Sequence, residues 1–369
     1  MLKDEKLSVR QFRLLVILFS IGSSILILPS GMAAGAKQDA WIAQLLVIAI
    51  SLLFIWLYNV IHKWFPKMTL VEICHALFGK WIGTLLSLFF LSLPFLYATI
   101  LMLYSGAFLT AQIFSNTPMV AINVLMLLIL VMGTRLGIET LARSAEILII
   151  FFVFLLIILI VFTLPEIKLE NIQPVFEAKP KTLLRTAVFP VITAAINSVV
   201  FLMILPHVND SKKARHSFLI GHVIGGVILF IITALCILVL GADQTARKMY
   251  PPYTLAKQIN VGQVITRIEV IIAVLWTISI YFKMAIYFYA ALVGLAQLLN
   301  LQDYRPLVLP SGLIGIVLAP IIFTNIVWQN TWDTSSSIGY SIAVGVFLPI
   351  LVLLAGAIKK WKQKNRKPG

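Results

Sequence analysis

The sequence predicts an all-α integral membrane protein with ten transmembrane helices, arranged as two inverted repeats of five in which the first and sixth helices are broken. Three observations lead there. Of 369 residues, 60% are hydrophobic and only 12% charged, and the mean hydropathy is +1.01, a balance no water-soluble globule could solvate. The apolar runs are long and continuous, as membrane helices require, and lack the short alternating segments of a β-barrel. Finally, small polar residues followed by proline interrupt one apolar run at the start of each half.

The ten apolar segments fall at about 11–35, 40–61, 82–113, 118–135, 142–164, 184–206, 216–241, 263–299, 307–327 and 336–358, each near or above the roughly 20 residues that cross the hydrocarbon as a helix. They form a single domain over 1–369, with repeats of about 11–164 and 184–358 and a basic tail at 359–369. Lys3, Lys6, Arg10 and Arg13 ahead of the first run superficially fit a cleavable signal. With Pro29 in the way and many spans downstream, an uncleaved first helix is expected.

The net charge of +15 raises nucleic acid as a partner, but its placement argues for the membrane instead. If the N-terminus is cytoplasmic, inside segments hold 19 Lys and Arg residues against 8 outside, which puts both termini in the cytoplasm. The tail from Lys359 to Lys367 then faces anionic lipid or a partner protein. Residues 67–80 and 251–260 each mix apolar and polar residues as a short surface helix does, and each follows the second span of its half.

Five spans per half is an odd number, so the halves lie in opposite orientations, the design of many secondary transporters. In the first half Gly22, Ser23 and Ser24 precede Ile25 and the run to Pro29; in the second, Asn197 and Ser198 precede the run from Leu202 to Pro206. Glycine and hydroxyl residues let the backbone leave the helix and proline removes a further hydrogen bond, so main-chain groups become available to a polar ligand. The same residues also serve close helix packing.

Lys283 has no charged neighbour from Val270 to Phe282 or from Met284 to Gln302. An ionisable group inside a span is retained for a partner, a wet cavity or a ligand. As an ammonium it suits a carboxylate, neutral it suits proton cycling, and its flexible stem also allows snorkelling or capping of a neighbouring helix. Arg267 and Glu269 lie near the outer end of the same span, suited to a salt bridge there. Glu139, Arg143 and Glu146 share one face at the inner end of the fifth span, a spacing that suits a stabilising clasp and equally a contact with an intracellular partner. The five histidines are scattered around cytoplasmic ends, Cys74 and Cys236 lie far apart, and neither a catalytic arrangement, a metal site nor a cofactor is expected.

These residues resemble a known family, the B subunits of nutrient germinant receptors in endospore-forming bacteria, a spore germination permease family similar to the amino-acid permeases of the APC superfamily. The resemblance is carried by Gly22 to Pro29, Lys80-Trp81-Ile82-Gly83, Leu205-Pro206 with the basic run from Lys212, and Arg267-Ile268-Glu269 leading to Trp276 and Tyr287-Phe288-Tyr289. It covers nearly the whole chain. It implies a LeuT-type core in which spans one, three, six and eight enclose a small nutrient, an amino acid foremost. It also implies a larger membrane A subunit and a lipid-anchored C subunit as partners, in the spore inner membrane. By position, Gly22 matches the unwound glycine of the first span, Tyr97 the pocket level of the third, Asn197 and Ser198 the break of the sixth, and Lys283 and Tyr287 the pocket face of the eighth. The chain departs from some relatives in having no charge between Arg185 and Asp210 and a lysine at 283. An amino-acid transporter, proton coupled through Lys283, and an ion or water pathway are the other functions expected of such residues.

Overall fold

A computed structural model describes residues 5–259, 268–323 and 326–365. Arg267, the outermost residues expected of the eighth span and the last four residues of the tail lie outside the described residues. Among those described, the regular structure is helical, and extended pairing is confined to one bridge between Leu7 and Val208. Among the described residues nine stretches are long and apolar enough to cross a membrane. The first of them, Ser24–Trp64, has 41 residues and would measure about 60 Å as one helix, twice the hydrocarbon thickness. It has to turn within its length.

Helix α1 (Val9–Ile21) starts at a reciprocal cap: Ser8 Oγ accepts from Gln11 N at 3.1 Å while Gln11 Oε1 accepts from Ser8 N at 3.0 Å. It stops at Gly22, whose φ of +33° departs from the helix, a conformation that glycine adopts at little cost. Helix α2 (Ser24–Ala36) completes the first span, and a 3₁₀ turn at Lys37–Asp39 leads to α3 (Ala40–Trp64), the second. Asp39 secures that turn by accepting from Phe176 N at 2.9 Å and Ala178 N at 2.8 Å.

Helix α4 (Leu70–Gln112) bends at Gly79, so residues 70–78 form the surface helix and 80–112 the third span. Helices α5 (Met119–Leu136) and α6 (Ile138–Thr163) finish the first half. The second half opens with α7 (Pro180–Ala194), which gives way to a 3₁₀ segment, Ile196–Met203. Helix α8 (Ser211–Arg247) bends at Gly241, the short α9 (Pro251–Gln258) follows, and α10 (Glu269–Leu298) and α11 (Arg305–Ile322) are the eighth and ninth spans.

The tenth span differs from expectation. The segments read from the sequence leave residues 328–335 as the connection between two spans, but helical structure resumes at α12 (Ile326–Thr331) and runs through a π-wound segment, Trp332–Ser336, into α13 (Ser337–Ile342). A second π-wound segment, Ala343–Phe347, leads to α14 (Leu348–Asn365). Lys359 at its end donates to Ala76 O at 2.9 Å, and Lys360 lies over the Trp64 ring at 4.1 Å. The basic tail therefore begins on the face from which α1 starts.

Helix α8 lies against α1 through Gly221 and Gly225, where a methyl group would meet Arg13 O at 2.9 Å and Ser20 Cβ at 2.7 Å. Small residues four apart permit this approach. His222 sits between them, fully enclosed, with Nδ1 3.2 Å from Ser20 Oγ; it is a packing residue of the interior and not, as expected, at a cytoplasmic end. The expected three-residue clasp is also smaller. Arg143 donates to Glu139 at 2.7 Å, whereas Glu146 accepts from Gln11 of α1 at 3.3 Å, because α1 presents an amide within its reach.

Beyond the 3₁₀ segment, Leu7 N donates to His207 O at 2.9 Å and Asn209 N to Leu7 O at 3.0 Å, tying the start of α1 to the end of the sixth span. Burial lowers the His207 imidazole below its ordinary pKa, with Glu5 partly opposing. The folded chain thus favours neutral His207, so this contribution to stability is present above about pH 6.5, the unfolded value, and is lost as pH falls below it. The apparent melting midpoint in detergent is expected to drop between pH 7.5 and 5.5, and to drop less in His207→Gln; equal pH slopes would remove His207 from the account.

Candidate functional site

Ser279, Lys283 and Tyr287 are spaced four apart on α10 and so share one face, and that face meets both interruptions. Ser279 Oγ lies 2.9 Å from Gly22 O and 3.0 Å from Trp276 O of its own helix, its one proton shared between them. Lys283 is 2% exposed. Its Nζ donates to Thr193 O at 3.0 Å in the last turn of α7 and lies 5.2 Å from the centre of the Phe19 ring. Carbonyls in the last turn of a helix carry partial negative charge and lack the amide partner of the next turn, so a cation is favoured there. One lysine thus joins α10, the break in α1 and the end of α7. Its stem presses on Gly22: a methyl group there would collide with Lys283 Cδ and stand 2.9 Å from Phe19 O.

Above Lys283 lies a cavity of about 70 Å³ lined by Ser23, Ser24, Tyr97, Asn197, Lys283 and Tyr287 together with Thr193, Tyr104 and Asp333. At roughly 15 Å³ per water it holds on the order of five waters or a molecule of similar size. Several of its polar atoms are spare. Ser24 Oγ, Asn197 Oδ1 and Tyr287 Oη are buried without a hydrogen-bond partner among the described residues, each costing about 1–3 kcal/mol if nothing occupies the space. Tyr97 and Ser341 share a hydrogen bond of 2.8 Å, and the Tyr97 ring stacks on Tyr287 at 5.7 Å.

A second cavity of about 930 Å³ adjoins the first and shares Ile27, Leu28, Tyr104, Phe189 and Asp333 with it. Lys181 and Arg185 line this vestibule, while Asp333 accepts from the Tyr104 hydroxyl at 2.7 and 2.9 Å on the boundary. Toward the chain's N-terminus the way is shut. Phe19 packs edge-on against Tyr287 and Phe201, both at 5.0 Å, and Phe12, Phe201 and Phe218 continue the plug at 5.3 to 5.8 Å. The two sides of the cavity are unequal, one open and one closed.

Not every residue singled out in the sequence faces this space. Gly22 lies beneath Lys283, Ile25 packs in the apolar core, and Ser198 turns its hydroxyl back to Ala194 O at 2.7 Å, one turn earlier. Glu269 is buried in the first turn of α10, far along the helix from Lys283. Asp333 and Tyr104 were not singled out. Both left a trace: Asp333 is the sole acidic residue after Asp303, and Tyr104 follows Tyr97 by seven, two helical turns. Thr193 acts through its main chain, which leaves no trace in side-chain chemistry. Among the described residues no three His, Cys, Asp or Glu cluster as metal ligands.

Comparison with known proteins agrees with this architecture. Two solved structures share the fold: Mhp1, a nucleobase-cation-symport-1 family transporter, at TM-score 0.68 and 14% identity over 92% of this chain and 76% of its own, and MhsT in complex with L-phenylalanine, at TM-score 0.69 and 12% identity over 95% and 98%. Both have the LeuT-type fold. In sequence, the chain is 30% identical to spore germination protein KB of Bacillus subtilis (strain 168) across 88% of this chain and 87% of that one. It is 22% identical to spore germination protein B2 of the same organism across 97% of each. The family described as spore germination protein matches residues 6–327. With LeuT-type helices interrupted at Gly22 and after Ala194, and that match along most of its length, the chain belongs to the spore germination permease family.

Proposed function

We propose that this chain is the nutrient-sensing subunit of a spore germinant receptor, that it binds a small amino acid between its two broken helices, and that Lys283 receives the carboxylate. The observation that carries this is the shared cavity, bounded by residues of both interruptions and holding the buried Lys283 amine beside partnerless polar atoms. A hydrogen bond to an ionised group contributes about 1.5–3 kcal/mol, enough to orient a small ligand. L-Phenylalanine in the complex of the similar fold supports an amino acid as the ligand class.

Occupancy would bias the balance between arrangements of the broken helices, and only by its difference in affinity for them. The change would pass to a larger membrane A subunit and a lipid-anchored C subunit, with the receptor in the spore inner membrane and both termini in the cytoplasm. The site is assigned binding and no catalysis. An amino-acid transporter is the second reading, favoured by the vestibule that leads to the cavity from one side.

Thermal shifts of the purified chain with the twenty standard amino acids, sugars and inorganic salts test the first reading: at least one small amino acid should stabilise it, and silence with all twenty would overturn it. Radiolabelled uptake into liposomes separates the second, since saturable uptake lost in Lys283→Ala means transport. Gly22→Leu is expected to reach the membrane at normal levels yet lose the ligand response, because its side chain displaces Lys283; a normal dose response would clear Gly22. Lys283→Thr is expected to weaken amino-acid binding roughly tenfold or more and to alter which nutrient is preferred, read by the same screen.

A further inference from the structure

The cavity has a second ionisable group at its boundary. Asp333 reaches it from the π-wound segment Trp332–Ser336, a local widening of a helix that frequently accompanies a functional site. Its carboxylate is anchored: the single Tyr104 hydroxyl proton is shared between Oδ1 at 2.7 Å and Oδ2 at 2.9 Å, and Ser337 Oγ donates to its main-chain carbonyl at 3.2 Å. A carboxylate has about four acceptor positions, so most of its capacity is unused. Among the described residues no Lys, Arg or His lies within ion-pair distance of it. Lys283 lines the same cavity but spends its contact on Thr193 O and does not form an ion pair with Asp333.

We propose that Asp333 receives the ammonium group of the bound molecule, so that the cavity is a two-ended site which selects a zwitterion over the same molecule lacking either charge. The inference rests on the ligand reading above and extends it to the second pole. Lys283 is buried and Asp333 partly buried; an ionised group withdrawn from water gains from an opposite charge, and a molecule that completes only one pole leaves the other without one. A carboxylic acid without an amino group would satisfy Lys283 and bring a second anion toward Asp333. An amide would satisfy Asp333 and leave Lys283 with no anion. An α-amino acid completes both, within a volume that admits the smaller ones. Lys181 and Arg185 in the vestibule draw in the carboxylate end, and Asp333 at the boundary is the first anion that the ammonium meets.

The test uses the purified full-length chain and matched probes: L-alanine, propionate and L-alaninamide, with L-leucine, 4-methylpentanoate and L-leucinamide as a larger set. Wild type is expected to bind an amino acid at least tenfold more tightly than either of its singly charged analogues. Asp333→Asn, which keeps the shape, should bring the amino acid to within about twofold of its deaminated acid without weakening the acid itself. Tyr104→Phe, which removes the anchor and leaves the charge, should retain the preference. Equal loss of affinity for amino acid and deaminated acid in Asp333→Asn would assign Asp333 a structural role and overturn the proposal. So would a wild type that binds propionate as tightly as L-alanine, a result that needs no variant to fold. If none of the twenty amino acids binds wild type, the ligand reading itself falls; if they bind without regard to the ammonium group, only the role of Asp333 does.

Discussion

A main-chain carbonyl or amide without a partner costs several kcal/mol in hydrocarbon, and this fold contains two helices that stop partway across. The contacts that satisfy those ends hold the centre together. Ser279 reaches Gly22 O and Lys283 reaches Thr193 O, both from one face of α10. The same helix that closes the account for the main chain also brings a lysine side chain to the middle of the fold. A hydrophobic side chain at 283 could fill the space but could not bond to Thr193 O, which would then need another donor.

The second constraint is helical winding. The sixth span tightens to 3₁₀ at Ile196–Met203, and the tenth widens to π at two places. These irregular stretches meet: the Tyr58 hydroxyl lies 2.8 Å from Ile196 O and 2.7 Å from Gly345 O. One hydroxyl proton can serve one of those carbonyls fully at a time, so the junction has two nearly equivalent bonding states. At Gly345 a side chain would stand 2.6 Å from Ile196 O, so the close approach of the two segments depends on its absence.

The vestibule and the aromatic plug give the cavity two unlike sides. Toward the vestibule, the cavity is bounded by a mixed set that includes Tyr104 and Asp333; toward the N-terminal face it is bounded by phenylalanines and then by the Leu7–Val208 bridge. Opening that second side requires parting aromatic contacts worth about 0.5–1.5 kcal/mol each beyond their burial, together with main-chain bonds from the segment ahead of α1. The resistance is therefore distributed over α1, the sixth span and α8.

Much of the fold was legible in the sequence because membrane insertion leaves few choices. An apolar run of sufficient length must be helical, and glycine, serine and proline mark where it can cease to be. Lys283 could be singled out for the same reason, since an isolated charge in such a run is conspicuous. The sequence alone also determined the family, through the order of many weak patches. Tertiary structure decided what it could not: that Lys283 bonds to a main-chain carbonyl ninety residues away in sequence, that Ile25 and Ser198 pack while Tyr104 and Asp333 line the cavity, and that Glu146 answers Gln11. Periodicity specifies which residues share a face of one helix, whereas the opposition of two faces depends on crossing geometry and winding. The tenth span illustrates this, because a π-wound turn carries Asp333 to the cavity from a stretch that the sequence reading left between two spans.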